Sequence, residues 1–263
     1  MNPKPEHEPR LSSAFVELLL LEGRRFSTPL LIAAAFSVLV VAQAVRVGTP
    51  ATDVGAVLLF LLLALPPLSL PLLAIYWGFS TLGDEWRGHT HQLLLSLPVR
   101  GRTILGAKLV AAGLGLSALS LVGGGLSWWR LVHGRVLERL DLGRERFTIE
   151  AATSVSQAGL VLVWFVATLL MLFTAALLAY AIGRTARRLQ GWAAGASFIG
   201  LLGVWALVPL EPVTRWLPSI GCQIGGPPGP CLFSPAEVMF DALLVGLMWW
   251  VAARLWDRGV VEA

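Results

Sequence analysis

Six long apolar runs, separated by shorter polar or glycine- and proline-rich segments, constrain the fold of this 263-residue chain more than any other feature. A helix that crosses the hydrocarbon core of a bilayer needs about 20 consecutive apolar residues, and the runs supply that length. Only 14% of the residues are charged, whereas soluble domains carry about 25%. The sequence therefore predicts an all-α polytopic membrane protein.

The apolar runs define a transmembrane domain over residues 28–254. We predict six spans, at about 28–45, 54–83, 103–128, 157–182, 191–210 and 236–254. Residues 11–26 combine leucines and phenylalanines with charged side chains, so this stretch is too short and too polar to cross a bilayer. Residues 1–27 are therefore predicted to be cytoplasmic, with an interfacial helix, and residues 255–263 to form a cytoplasmic tail.

The distribution of positive charge predicts the orientation of the spans. Most of the 20 lysines and arginines fall in segments that are cytoplasmic if both termini lie inside, whereas the acidic residues divide evenly. This asymmetry follows the positive-inside rule. We therefore predict a multi-pass protein of the inner (plasma) membrane with both termini in the cytoplasm. Contacts with anionic lipid, rather than with nucleic acid, then explain the net charge of +4.

Two cysteines lie in the loop before the sixth span, which this topology places outside. Cys222 and Cys231 bracket the sequence QIGGPPGP, a loop that can bring them together. An oxidising compartment would allow them to form a disulfide. Two free thiols are the alternative.

Three prolines interrupt the second predicted span. Pro66, Pro67 and Pro71 remove backbone donors near the middle of the membrane, so the freed carbonyls need other partners such as neighbouring helices or Ser69. The kink predicts either a hinge or a static bend.

Two acidic residues lie toward the outer end of the sixth predicted span. Charged side chains inside a membrane are often functional, so Glu237 and Asp241 are candidates for a translocation path. Solvation at the interface, or a salt bridge with Arg215, explains them equally well.

The connection between the second and third spans is longer than antiparallel helices require. It reads GDEWRGHTHQLLLSLPVRGRTILGAK, and its charges exclude it from the hydrocarbon while its leucines favour burial. A short cytoplasmic helix over about 84–95, ended by Pro98, would satisfy both demands. Such a helix predicts an interface with another protein; a solvated connector is the alternative.

The same segment resembles a motif of the membrane subunits of ATP-binding-cassette (ABC) exporters of the type-2 class, particularly the single-domain bacterial permeases. That motif reads roughly E-x-x-x-G-T-x-E-x-L-L-S-x-P-V-S-R, followed by G-K at the start of the third span. The matching residues here are Glu85, Thr90, Leu94, Leu95, Ser96, Pro98, Val99 and Lys108. The departures are His89, Gln92, Arg100, Gly101 and Ala107.

The resemblance implies that this segment is a coupling helix, which docks into a groove on a cytoplasmic ATPase and transmits its closure to the spans. The residues expected at that contact are Glu85, Arg87, Thr90, Leu93, Leu94, Leu95, Ser96, Pro98 and Arg100. Glu85, Arg87 and Arg100 could form ion pairs across the interface. Six spans would be half of a transporter, so the expected partner is a second copy or a similar permease.

Small residues in the fifth predicted span suit such an assembly. Gly191, Gly195, Gly200 and Gly203 lie among alanines, and small side chains let helices approach closely. Packing within the chain is the default explanation, but the resembling family also places its first and fifth spans at the dimer interface.

The energy source is expected in a separate chain. The closest approach to a phosphate-binding loop is GRTILGAKL, which lacks the required hydroxyl after its lysine and leads into a span. We therefore expect no cofactor in this chain, and ATP with Mg²⁺ bound by the partner ATPase.

Two other classes of function were weighed against a transporter. A membrane enzyme, such as a protease or a lipid-modifying enzyme, would need a convergent catalytic set, and the sequence offers none. A metal site at Glu85, His89 and His91 is disfavoured because His91 points away from the helix face that the other two share. We therefore expect neither catalytic nor metal-binding residues. A membrane anchor or sensor that recruits a cytoplasmic protein is the remaining alternative.

Overall fold

The computed structural model describes residues 11–47, 53–87, 101–133, 155–186, 189–207 and 235–257. The regular elements in these ranges are helices. In chain order they are α1 (Leu11–Val47), α2 (Asp53–Arg87), α3 (Gly101–Leu119), a π-helical turn (Ser120–Gly124), α4 (Gly125–His133), α5 (Val155–Thr185), α6 (Gln190–Leu207) and α7 (Pro235–Asp257).

Within the described ranges, six helical stretches are long and apolar enough to cross a membrane. They are Phe15–Val47, Val54–Glu85, Gly101–Ser127, Val161–Thr185, Gln190–Leu207 and Val238–Asp257. Each overlaps one of the six ranges predicted from the sequence, although the bounds differ and the first stretch begins much earlier. The all-α, multi-pass architecture is therefore confirmed.

The first helix differs from the sequence-based expectation of an interfacial helix followed by a separate span. The structure has one continuous helix, α1, with Pro29 inside it. Its 37 residues would extend over about 55 Å, which exceeds the roughly 30 Å of the hydrocarbon core. The sequence places charged residues where the interfacial helix is expected to end. In the structure the helix continues through them, because Glu22 and Arg25 form ion pairs with neighbouring helices.

The helix α5 lies at the centre of the bundle, where it contacts α2, α3, α6 and α7. Its buried face includes Leu169, Met171 and Phe173, and the large side chain of Trp77 from α2 is buried in the same core. Near the C-terminal end of α5, Gly183 lies so close to α6 that a Cβ there would come within 2.6 Å of the Ala194 Cβ. This central position makes α5 the support for the other spans.

The prolines of α2 lie inside one continuous helix. Pro66 is buried, and the Ser69 hydroxyl donates a hydrogen bond of 2.7 Å to the Pro66 carbonyl oxygen. This carbonyl is not one of those left without a donor by the prolines, because a proline removes the bond to the residue four positions earlier. Ser69 therefore does not replace a donor that the prolines removed. The hinge assigned to Pro66, Pro67 and Pro71 stays a prediction.

A π-helical turn interrupts the third span beside the prolines of α2. A Cβ on Gly123, inside that turn, would lie 3.4 Å from the Pro66 Cβ and 3.1 Å from the Ser37 hydroxyl oxygen of α1. A larger residue at Gly123 would push against the Ser37 hydroxyl, so glycine allows this close approach. The π-helical turn of the third span thus packs beside α1 and beside the prolines of α2.

Candidate functional site

Lys108 lies fully buried between three helices, at the end of the bundle where α2 ends and α3 begins. Its side chain is 0% exposed, and its Nζ donates to Glu22 Oε1 of α1 at 2.5 Å. The same Nζ donates to Glu85 Oε1 of α2. A buried ammonium group is tolerated only when it is paired and hydrogen-bonded. Lys108 therefore holds α1 and α2 against α3.

Arg25 extends this contact between α1 and α2. Its Nη2 lies 2.8 Å from Asp84 Oδ2, and its Nη1 lies 3.8 Å from Glu85 Oε1. Nη1 also donates to the Thr81 carbonyl oxygen at 3.4 Å. We name these ionisable residues the ion cluster: Glu22, Arg25, Asp84, Glu85 and Lys108. It contains three carboxylates and two cations, so the pairing leaves one formal negative charge.

The helical periodicity explains how the chain assembles this cluster. Glu22 and Arg25 are three residues apart on α1 and share a face. Glu85 continues the buried stripe of α2, which includes Trp77, Thr81 and other residues at spacings of three and four. Asp84, one position earlier, is exposed because neighbouring helical residues point in different directions.

The beginning of α3 is bonded to the end of α7. The backbone N–H of Gly101 donates to Asp257 Oδ1 at 2.9 Å. This N–H is one of the four that a helix leaves without a partner at its N-terminus. Trp256 is buried against the same residue, since a Cβ on Gly101 would lie 2.5 Å from Trp256 Cδ1.

These two contacts lie at the two ends of one stretch, residues 88–100, which falls outside the described residues. Before it, the last turn of α2 is held by the ion cluster. After it, the first residue of α3 is held by α7. The described residues on either side of this stretch are thus held against α1, α3 and α7.

Glu85 occupies a different environment from the one expected for a contact with a partner. Its carboxylate is buried and faces Lys108 and Arg25 within the chain. The physical reason is that Lys108 needs an anion at this depth, so Glu85 lies on the inner face of α2. The exposed carboxylate in this turn belongs to Asp84. Glu85 therefore positions the end of α2 instead of presenting a charge outward.

The other residues expected at the ATPase contact cannot be placed. Arg87 is the last residue of α2, and its side chain lies outside the described part. The remaining ones, all in the 88–100 stretch outside the described residues, are Thr90, Leu93, Leu94, Leu95, Ser96, Pro98 and Arg100. Their role stays a prediction. The segment predicted as a separate helix from Asp84 begins as the end of α2.

Asp241 forms a second polar contact, in the first third of α7, with side chains of α5 and α6. It is 3% exposed, and its Oδ1 accepts a hydrogen bond from Trp205 Nε1 at 3.1 Å. Its Oδ2 accepts one from the Thr168 hydroxyl at 3.0 Å. These bonds tie three helices together. Arg215, the salt-bridge partner considered from the sequence, lies outside the described residues.

The translocation role assigned to Asp241 and Glu237 stays a prediction. The side chain of Glu237 lies outside the described part, as do Cys222 and Cys231 with their predicted disulfide.

Sequence reasoning missed the ion cluster as a unit. It treated Glu22 and Arg25 as surface charges and matched Lys108 only to a motif. The available signal was the position of Lys108 inside an apolar run, because a charge at that depth requires a partner. Asp84 and Glu85 directly before the 88–100 stretch were the nearest candidates in the sequence.

The polar contacts among the described residues join helices to one another. Residues 11–47, 53–87, 101–133, 155–186, 189–207 and 235–257 contain no group of three or more His, Cys, Asp or Glu that could hold a metal ion. The chain matches no protein-family model and no curated protein. Its function is therefore inferred from its own residues.

Proposed function

We propose that the chain is the membrane-spanning permease subunit of an ATP-driven exporter of the ABC type. A separate cytoplasmic ATPase binds ATP and Mg²⁺, and this chain converts its movement into substrate translocation. The observation that carries the proposal is the attachment of the 88–100 stretch at both ends. The ion cluster holds the preceding turn of α2, and Asp257 holds the first residue of α3.

A segment that receives a push must be joined stiffly to the parts that it moves. The Lys108 ammonium contacts a carboxylate from each of two other helices while fully buried. Removing one partner of such a buried pair costs several kcal/mol, about 3–5 in measured cases. The joint is therefore strong enough to move α1, α2 and α3 together, which a solvated connector would not require.

The expected contact with the ATPase is apolar at its centre and charged at its margin. Leu93, Leu94 and Leu95 would supply the apolar surface. Arg87 and Arg100 would supply rim charges, which favour orientation and association rate more than affinity.

Assembly with a second copy, or with a similar permease, is supported by the exposed face of α6. Trp192 and Leu207 are each 82% exposed. Around Gly191, Gly195 and Gly203, no atom of the described part of the chain lies within 4 Å of the position that a Cβ would take. Faces of small residues allow close helix contacts within membranes. A dimer through α6 would enclose a largely apolar path, which suits lipids, amphipathic peptides or hydrophobic drugs as substrates.

Changing Leu94 and Leu95 together to glutamate is expected to abolish co-purification of the proposed partner ATPase with the chain. Two buried carboxylates at the centre of an apolar contact would cost several kcal/mol, or about 100-fold in affinity for each 2.7 kcal/mol. The matched control is Leu94→Met with Leu95→Met, which preserves the apolar surface and is expected to retain binding.

The measurement is the amount of ATPase recovered with the tagged permease, together with ATP turnover in lipid nanodiscs. Normal binding and normal stimulation in the glutamate variant would show that the coupling assignment is wrong. An anchor that only recruits a cytoplasmic protein would bind the ATPase without changing its turnover. Absence of any ATPase from the wild-type preparation would reject the transporter itself.

The proposed orientation predicts that Cys222 and Cys231 are reached from outside the cell. A thiol reagent that cannot cross membranes is expected to label intact cells only after mild reduction, because the disulfide must first be opened. Variants with Cys222→Ser and Cys231→Ser provide the unlabelled control. Labelling found only in inverted vesicles would reverse the topology, and labelling without reduction would reject the disulfide.

A further inference from the structure

The helix α7 is bonded to other helices near both of its ends, each time through an aspartate. Asp257, its last residue, accepts the Gly101 N–H bond at 2.9 Å. Asp241, in its outer half, accepts bonds from Thr168 of α5 and Trp205 of α6. A helix fixed in this way connects the beginning of α3 to the outer part of the bundle.

The inner contact leaves little freedom between α3 and α7. A Cβ on Gly101 would lie 2.6 Å from Asp257 Oδ1 and 2.5 Å from Trp256 Cδ1. The Asp257 carboxylate also lies at the N-terminus of α3, where the helix dipole favours negative charge. Displacement of Gly101 must therefore displace the end of α7 or break this contact.

The helix α7 is also a continuous, regular helix between its contact with Gly101 and its contact with α6. Asp241 and Asp257 are sixteen residues apart in one helix, which corresponds to about 24 Å at 1.5 Å per residue. Prolines lie inside α1 and α2, and a π-helical turn follows α3. Kinks and irregular turns are the places where helices bend, so α7 transmits displacement with less loss.

The outer contact determines what such a displacement would move. α6 is held closely to α5 at its inner end, where Ala194 lies against Gly183. Near its outer end, the Trp205 indole is bonded to Asp241 of α7. Val204 and Leu207, on either side of Trp205 in the sequence, are exposed. The outer end of α6 therefore depends on the position of α7.

We propose that α7 transmits displacement of the 88–100 stretch to the outer end of α6, with Asp257 and Asp241 as the positioning residues. When the ATPase moves the stretch, Gly101 carries the end of α7 with it. Asp241 then shifts against Thr168 and Trp205, and α6 moves on the outer side. This inference rests on the proposed function, since the ATPase supplies the movement.

The test follows a spin label on the outer end of α6 in the assembled permease–ATPase complex in nanodiscs. The label is attached through Val204→Cys, at an exposed position outside the α6 residues named for the dimer contact, in a background of Cys222→Ser and Cys231→Ser. In the parent protein, ATP binding is expected to change the mobility of the label. Asp257→Ala is expected to reduce this change at least about five-fold, the lower end of ordinary coupling factors, while ATP turnover continues.

Two matched variants separate transmission from a general loss of structure. Asp257→Asn keeps an oxygen that can accept the Gly101 N–H, so the nucleotide response of the label is expected to recover. Gly246 also lies in α7, and a Cβ there would meet no atom of the described part within 4 Å. The variant Gly246→Ala is therefore expected to leave the nucleotide response of the label unchanged. Asp241→Ala breaks the outer contact and is expected to lose the response as Asp257→Ala does.

The possible failures are distinguishable. If the parent chain recruits no ATPase, the proposed function fails before α7 is tested. If the complex forms and hydrolyses ATP, an unchanged response in Asp257→Ala or Asp241→Ala overturns the role of α7. A label that ignores ATP in the active parent complex overturns it as well. If Asp257→Ala does not yield a folded complex, Asp241→Ala decides the question from the outer end.

Discussion

Replacing Lys108 by methionine is expected to destabilise the helix bundle by about 3–5 kcal/mol, the usual cost of removing one partner from a buried ion pair. The substitution preserves much of the side-chain volume but removes a cation that contacts both Glu22 and Glu85 at hydrogen-bond distance. Two carboxylates would then remain close together in a site that excludes water. Thermal or denaturant unfolding of the purified protein in detergent measures the effect.

Further variants show whether the lost stability comes from the unpaired charges or from lost side-chain packing. Combining Lys108→Met with Glu22→Met and Glu85→Met removes all three charges, and buried ion pairs replaced in full by apolar residues of similar volume are often neutral in stability. The triple variant is therefore expected to recover most of the stability. Arg254→Met removes an exposed cation that lies 4.8 Å above the Trp250 ring, at a cost of about 0.5–1 kcal/mol. Equal stability of Lys108→Met and Arg254→Met would show that the ion cluster does not hold the helices together.

The triple variant also separates stability from function. If the charges serve only to hold the helices, apolar packing in their place should sustain ATP-driven transport as well as folding. If transport is lost while stability recovers, the stiffness or directionality of the charged joint is needed for transmission. The ion cluster would then act in the transport cycle, in line with its position before the 88–100 stretch.

The six spans could be predicted from the sequence because burial in lipid demands apolar residues along a whole helix. That demand is local, and hydropathy alone reveals it. The continuity of α1 could not be predicted in the same way. Glu22 and Arg25 made the N-terminal part look separate, but their partners are Lys108, Asp84 and Glu85, which are distant in the sequence.

The candidate site could be predicted only in part, for a related reason. The motif directed attention to Glu85, yet its direction depends on the rotation of α2 about its own axis. Neighbouring helical residues differ by about 100°, so Asp84 and Glu85 face opposite environments. Packing against α1 and α3 sets that rotation. The bond between Gly101 and Asp257 likewise joins residues whose proximity depends on how α3 and α7 pack.

The same rotation of α2 depends on Gly78, and Gly78→Ala is expected to lower the stability of the bundle by about 2 kcal/mol or more. Alanine usually favours a helix over glycine by about 1 kcal/mol, but here its Cβ would lie 2.4 Å from the Phe173 carbonyl oxygen and 2.6 Å from the Ala176 Cβ. Backbone atoms of α5 cannot rotate away, so the two helices must separate. Overpacking in a core costs about 1–3 kcal/mol and occasionally more. A cost at the upper end of this range exceeds the gain of about 1 kcal/mol in helix propensity by about 2 kcal/mol.

Gly113→Ala in α3 is the matched control, because it faces the same helix α5 across an ordinary contact. Its Cβ would lie 3.6 Å from the nearest atom, a methyl group of Leu170, so stability is expected to be unchanged or higher by up to about 1 kcal/mol. Gly78 and Glu85 are seven residues apart, two turns along one buried face. Separation of α2 from α5 should therefore also disturb the ion cluster, and ATPase stimulation should fall in Gly78→Ala but not in Gly113→Ala. If both variants melt alike and stimulate the ATPase alike, the close approach of α2 to α5 does not position the end of α2.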